Sequence, residues 1–336
     1  MSCYNDSLAI EETVPHLRTL RSAILGLSLA LLSVLAAAQS YPSKPVRLII
    51  PFPPGASNDI VGRMIATQLS EQLGKPVVVD NRGGAGGLIG TEAAANSPPD
   101  GYTLLLISLG YAFNASLYKL PYDPATAFAP VALLGAGPVV LVVNSKLPVN
   151  SVKELLALAR EKPGQLHYVS GGIGSFQHLT GALFKLQSGA DIVHVPFKGA
   201  APAMMDVVAG NTEIAIGTII LMLPQIKAGR LKALGVGSTK RLAFLPDVPT
   251  IAEAGVPGYE ANNWWGIVVP TGTPAAIIGR LHKELTVVLA SAETKKRFES
   301  EGSEAAKMAP EEFGRFIAAE TAKWAKVVKE AGIKAE

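Results

Sequence analysis

Cysteine is almost missing from this chain: one in 336 residues, Cys3, close to the start. A single cysteine makes no internal disulfide, and if a leader carrying Cys3 is removed, no thiol nucleophile remains either. Aromatic residues are scarce at 6%, which argues against a groove that stacks sugars. An excess of one charge is lacking as well. The net charge is +3, with lysine and arginine dispersed along the chain, so neither a nucleic-acid surface nor a basic membrane-binding helix is written here. Beyond residue 40 the histidines are His167, His178, His194 and His282; they show no metal-ligand spacing, so no metal site is expected. A Gly-x-Ser-x-Gly elbow and a Gly-Lys-Ser/Thr phosphate loop are both absent. The longest apolar run, 23–35, is shorter than a membrane span.

That run has a different reading. Arg18 and Arg21 precede it, and Ala36, Ala37 and Ala38 follow it before Gln39. A positive region, an apolar region and a small-residue cut describe a signal peptide over residues 1–40, removed near Ala38. The expected product is an exported, disulfide-free periplasmic protein. Asp6, Glu11 and Glu12 make the leading segment unusually long and acidic, which suggests a start codon further downstream. A retained anchor is the alternative, disfavoured by the small residues that end the run.

Aliphatic residues, glycine and proline are plentiful: 49% hydrophobic, 33 Gly and 24 Pro. Such a balance suits parallel strands covered by helices. The chain is organised around Arg47–Asp59, where an apolar strand breaks at Pro51, Pro53, Pro54 and Gly55 into a helix. Ser57 or Asn58 is placed to cap that helix, whose apolar positions are Ile60, Val61, Met64, Ile65, Leu69 and Leu73. Strands at 76–79 and 102–107 follow, with a glycine-rich loop at 83–90 between them. These links predict a right-handed, mostly parallel α/β unit. Its loops at 52–58, 81–88 and 108–114 gather at the strands' carboxyl edge, where such sheets bind ligands.

The pattern then recurs. After a strand at 139–143, where the chain leaves the first unit, Ser151 and Glu154 form a capping box, and strands at 166–170, 192–195, 213–217 and 231–236 make a second sheet. Gly171–His178 and Pro196–Gly199 are its loops. A return strand at 264–269 and helices at 274–290, 293–301 and 310–331 finish the chain. The expected architecture is two α/β lobes, 41–143 with 264–336 and 144–263, closing on a ligand by hinge motion.

Several residues invite a chemical role. The run Gly84-Ala85-Gly86-Gly87 suggests a dinucleotide loop, but Ile89 stands where the third glycine belongs and Ser108 where the ribose-binding acid belongs. Ser175 and His178 invite a nucleophile–base reading, but no third, orienting acid accompanies them. Ser175 serves equally as a carboxylate donor, with His178 pinning the loop. Asp59 is a first-turn acid or a ligand contact, and Lys198 a solvated charge or a ligand partner. Phe52 and Phe197 are core residues or ligand walls. The backbone N–H groups of Gly55–Asn58 and Gly174–Gln177 head helices and need acceptors, so an anion between the lobes would satisfy both sets.

The motifs Pro51-Phe-Pro-Pro-Gly-x-x-x-Asp59, Asn81-x-x-Gly-Ala-Gly-Gly87, Leu120-Pro-Tyr-Asp-Pro124, Gly174-Ser-x-x-His-Leu179, His194-Val-Pro-Phe-Lys-Gly199, Leu245–Gly255 and Trp265–Pro274 carry a resemblance. Together and in this order they resemble the Bug-type extracytoplasmic solute receptors, the binding component of tripartite tricarboxylate transporters. The resemblance covers 41–336. It implies a two-lobed type II periplasmic binding protein (Venus-flytrap) fold, no cofactor, no metal and no catalysis. It further implies a small carboxylate ligand and, as partners, membrane transporter subunits or a membrane sensor, with the receptor a monomer. Loops matching 52–59, 86–87, 108–114 and 170–178 would grip the carboxylate. The candidate ligand-binding residues are therefore Phe52, Pro54, Gly55, Ala56, Ser57, Asp59, Gly86, Gly87, Ser108 and Asn114 in one lobe. In the other they are Ser170, Gly174, Ser175, His178, Phe197, Lys198 and Gly199. Ala56, Ala127 and Ala182 depart from the family pattern, and only Ala56 lies in the site.

Overall fold

Aliphatic runs become strands here, and the glycine and proline clusters after them become loops at their carboxyl ends. The computed structural model describes residues 41–300, 302–330 and 332–333. The signal segment expected at 1–40, with its cut near Ala38, lies outside the described residues. In chain order the first stretch is β1 (Val46–Ile50), α1 (Ser57–Leu73), β2 (Val77–Asn81), α2 (Leu88–Ala95), β3 (Thr103–Ser108) and α3 (Leu109–Leu117). A long strand, β4 (Phe128–Asn144), leads to α4 (Val152–Glu161), β5 (Leu166–Ser170), α5 (Phe176–Ser188) and β6 (Ile192–Pro196). Next come α6 (Ala200–Ala209), β7 (Ile214–Thr218), α7 (Ile219–Lys227) and β8 (Leu231–Val236). β9 (Asn262–Pro270), α8 (Ala275–Ala290), α9 (Ala292–Ser300), the short β10 (Glu304–Ala305) and α10 (Pro310–Glu330) close the chain.

Local chemistry explains the helix ends. α1 buries Val61, Ile65, Leu69 and Leu73, one face of a 3.6-residue period, and Gly74 ends it in the left-handed conformation at φ 64°. The Ser151 hydroxyl accepts the Glu154 N–H at 3.1 Å, and Glu154 accepts the Asn150 N–H at 2.7 Å. The capping box therefore closes one residue earlier than its usual form. Glu311 and Glu312 stand in the first turn of α10, where the helix dipole favours acids. Phe113 of α3 meets Trp324 of α10 edge-on at 5.9 Å, so the last helix covers the first sheet's core. Gly90 lets α2 lie against the end of β1: a Cβ there would stand 2.7 Å from both the Arg82 carbonyl oxygen and Pro51 Cα.

Two sheets result. In one, β2, β1 and β3 are parallel, and β9 and then β4 follow, each antiparallel to the strand before it. In the other, β6, β5 and β7 are parallel, with β4 antiparallel to β7 and β8 antiparallel to β4. In the first sheet β1, β2, β3 and β4 therefore run one way and β9 against them; in the second β5, β6, β7 and β8 run one way and β4 against them. Crossover helices build the parallel part, and β9 and β4, antiparallel to each other, each oppose one sheet.

One strand belongs to both sheets. Residues Phe128–Pro138 of β4 pair with β9, and Val139–Asn144 pair with β7 and β8. The pairing changes hands at Pro138, ahead of the boundary at 143 that the sequence suggests. The first half reads poorly as a strand because Pro130, Gly135, Gly137 and Pro138 interrupt it. Register shifts between Pro130 and Ala132 and between Leu133 and Gly135 accommodate two of these breaks. The side chains of Val139–Val143 are fully buried.

Candidate functional site

The loops after β1, β2 and β3 face those after β5, β6 and β7. Several contacts join the two sets. The Tyr118 hydroxyl donates to the Ile173 carbonyl at 3.0 Å, and the Thr218 hydroxyl to Ser57 Oγ at 3.5 Å. A Cβ on Gly199 would lie 3.4 Å from Pro53 Cγ, and one on Gly55 3.6 Å from Ala201 Cβ. The two lobes are closed on each other.

On the first side the loop Pro51–Ala56 is held by Asp59. Its carboxylate accepts the Gly55 N–H at 3.0 Å, Asn81 Nδ2 at 2.9 Å and Arg63 Nε at 2.9 Å. Burial pushes the Asp59 carboxyl up, but these hydrogen bonds and the Arg63 charge outweigh it and hold its pKa low. Neither Ser57 nor Asn58 caps α1, as the sequence suggests. Ala56 takes the cap position without a side-chain bond, and Asn58 instead donates to Ser108 Oγ at 3.1 Å and accepts Trp265 Nε1 at 3.1 Å. Asp59 does a cap's work by tying down Gly55. Because Gly55 N–H is taken, and Asp59 and Ile60 N–H bond the Ala56 carbonyl, the donors left at this helix head are those of Ser57 and Asn58.

The second loop on this side has an unusual backbone. Gly84, Ala85, Gly86 and Gly87 all have positive φ, at 127°, 46°, 64° and 99°. Ala85 pays a steric cost there that glycine would not. The Gly87 N–H turns back onto the Gly84 carbonyl at 2.9 Å and closes the loop. Gly86 touches the other lobe: a Cβ there would meet the Gly174 and Ile173 carbonyls at 3.4 Å. Gly87 lies over the Phe52 ring.

On the opposite side Ser170, fully buried, braces its own loop. Its hydroxyl contacts the Gly172 N–H and carbonyl, each at 3.1 Å, and His194 Nε2 at 2.6 Å. His178 Nδ1 accepts the Gly174 N–H at 3.2 Å, so that nitrogen carries no proton. Ser175 caps α5, accepting the His178 N–H at 3.4 Å, and its own N–H bonds the Gly172 carbonyl. Of the donors expected over Gly174–Gln177, those of Phe176 and Gln177 are left at the helix head. His178 stacks on His194 at 4.1 Å between ring centroids, and His194 stacks on Tyr168 at 5.0 Å. Burial pushes His178 down to about 4. Burial, the neighbouring His178 and Lys185 push His194 down to about 3. Both rings are neutral at neutral pH.

The candidate residues thus separate by position. Ser57, Ser108, Asn114 and Ser175 are buried at the meeting of the loops, and Gly86, Gly174 and Gly199 form the close approaches. Ala56 is buried and Phe52 and Phe197 half-buried, the latter packed on the second lobe's core. Asp59, Ser170 and His178 hold loops in shape. Pro54 and Lys198 are exposed. Tyr118, Thr218 and Trp265 are not among the candidate site residues, and Asn58 is picked out only as a cap and for its backbone N–H, not for its side-chain bonds to Ser108 and Trp265. Nothing local marks these contacts, because the partners arrive from the other end of the chain.

A two-lobed α/β fold with facing helix-head loops defines the class of periplasmic solute-binding proteins. Residues 61–333 match the tripartite tricarboxylate transporter family receptor model, and the chain belongs to that family. It is 39% identical over 317 residues to Protein BugT of Bordetella pertussis, covering 93% of this chain and 97% of that one. The structure of R. palustris Rpa4515 with adipate superposes with a TM-score of 0.85 at 37% identity, over 88% of this chain and 100% of that one. MatC from Rhodopseudomonas palustris with bound malate gives 0.82 at 30% identity, over 86% and 100%.

Proposed function

We propose that this protein is an exported receptor that closes its lobes on a small organic carboxylate and delivers it to membrane transporter subunits. One arrangement carries the reading. Two helix heads, at Ser57–Asn58 and Phe176–Gln177, face one another across buried neutral side chains, with Asp59 already neutralised by Arg63. Backbone N–H groups and helix dipoles suit an anion without any lysine or arginine. Relatives of known structure hold adipate and malate in the same fold, which supports a carboxylate here. The binding groups are those named above, with Ser57, Ser108, Gly86, Gly87 and Ser175 nearest the ligand. The protein acts as a monomer in the periplasm after losing its leader near Ala38.

Hydrolysis by Ser175 and His178 is disfavoured by geometry. Ser175 Oγ meets the His178 backbone, and the ring nitrogen that a base would use accepts the Gly174 N–H. We read the site as non-catalytic. A thermal-shift screen over small organic acids tests the proposal. An acid at a hundredfold excess over its Kd should stabilise the protein by about 2.7 kcal/mol. A response to sugars or cations, with none to any acid, would refute the ligand class.

A further inference from the structure

We propose that the preferred ligand is a hydroxy acid: a carboxylate that also carries a neutral hydroxyl to donate to Asn114. The inference rests on the receptor reading above and narrows it. Asn114 is 2% exposed, in α3 behind Gly86. Its Nδ2 donates to the Gly86 carbonyl at 3.4 Å. That contact sets the amide's orientation, since turning it over would bring Oδ1 against another acceptor. Oδ1 is consequently the atom left over, buried and without a hydrogen-bond partner. Gly86 borders the space between the lobes, against Gly174 and Ile173.

A buried acceptor without a donor is costly, and a carboxylate has no proton to offer it. The donor must come from the remainder of the ligand. An ammonium would also donate, but it needs several acceptors or a carboxylate to leave water. Asp59 is the acid among the candidate ligand-binding residues, and both its oxygens already accept, from Gly55, Asn81 and Arg63. One neutral acceptor matches one hydroxyl. Plain diacids would leave Oδ1 unsatisfied, and amino acids would leave most of their charge so.

Isothermal titration of the purified leaderless protein with matched pairs tests this: succinate against malate, and glutarate against 2-hydroxyglutarate, with aspartate as the ammonium control. The hydroxylated member of a pair should bind about tenfold tighter or more, and aspartate more weakly than malate. Asn114→Leu should bring the ratio within a pair close to one. Asn114→Asp, which retains an acceptor, should keep the preference while weakening every acid. Equal binding within each pair, or tighter binding of the unsubstituted diacid or of aspartate, overturns the hydroxy-acid assignment and leaves the carboxylate receptor standing. A folded protein that binds no acid at all overturns both.

Discussion

His178 is held neutral by burial and by the proton it must not carry if Nδ1 is to accept the Gly174 N–H. An unfolded chain has no such constraint, and its histidine titrates near 6.5, whereas the folded value is about 4. Between those values the unfolded state binds the proton and the folded state does not. Stability is therefore full above pH 6.5 and falls as pH drops towards 4, by on the order of 2 kcal/mol. Urea midpoints measured across that window should show the fall; His178→Gln, which keeps an acceptor but does not titrate, should make it shallower, and what remains belongs to His194, whose folded value is about 3. A wild-type midpoint that stays level would mean the ring is not buried as described. Residues such as Asp59, Ser175 and His178 are legible in the sequence because each has at least one hydrogen-bond partner within four positions. Tyr118, Thr218 and Trp265 reach partners 55, 161 and 207 positions away, and no local pattern encodes such distances. Asn58 misleads for a related reason: its type suits a cap, but two buried partners outcompete that local role.

Glycine positions separate elements that merely contain glycine from those that require it. Gly90 in α2 faces backbone at 2.7 Å, which has little room to retreat, whereas Gly279 in α8 has nothing within 4 Å. Gly90→Ala should destabilise by about 1–2 kcal/mol, the overpacking cost less the gain in helix propensity. Gly279→Ala should be neutral or stabilising by up to about 1 kcal/mol. Chemical denaturation of the two variants side by side decides the matter; equal effects would show that α2 does not lie directly on the strand end. Most elements are legible in type and order, since period and breakers are local properties. The exceptions are 108–114, expected as a loop but mostly in α3, the unanticipated α7, and β4, where prolines and glycines disguise a strand that pairing on both edges sustains.

At the scale of the molecule, closure rests on few polar contacts. The bond from Tyr118 to the Ile173 carbonyl exists only when the lobes meet, so it favours the closed state and leaves each lobe's own packing untouched. Tyr118→Phe should weaken ligand binding by about 0.5–1.5 kcal/mol. The unliganded variant should also show a larger radius of gyration in small-angle scattering than wild type. Unchanged scattering and affinity would remove Tyr118 from the latch. The overall plan, two α/β units with loops on facing edges, is readable from the sequence. What closes one on the other is not, since each contact pairs a residue type common on any surface.

β4 has a further consequence, for anyone who would take the molecule apart. Its residues 139–143, Val-Val-Leu-Val-Val, take β7 as one neighbour and β8 as the other, although the segment before them belongs to the first sheet. A fragment joining 44–143 to 262–333 would carry that run as an apolar strand with both edges bare. Such a segment, uncharged and free of proline, is a template for cross-strand stacking between chains. The fragment should precipitate or bind thioflavin T, and ending its first piece at Pro138 should relieve this. Neither lobe is separable: the strand they share makes each one's solubility depend on the presence of the other.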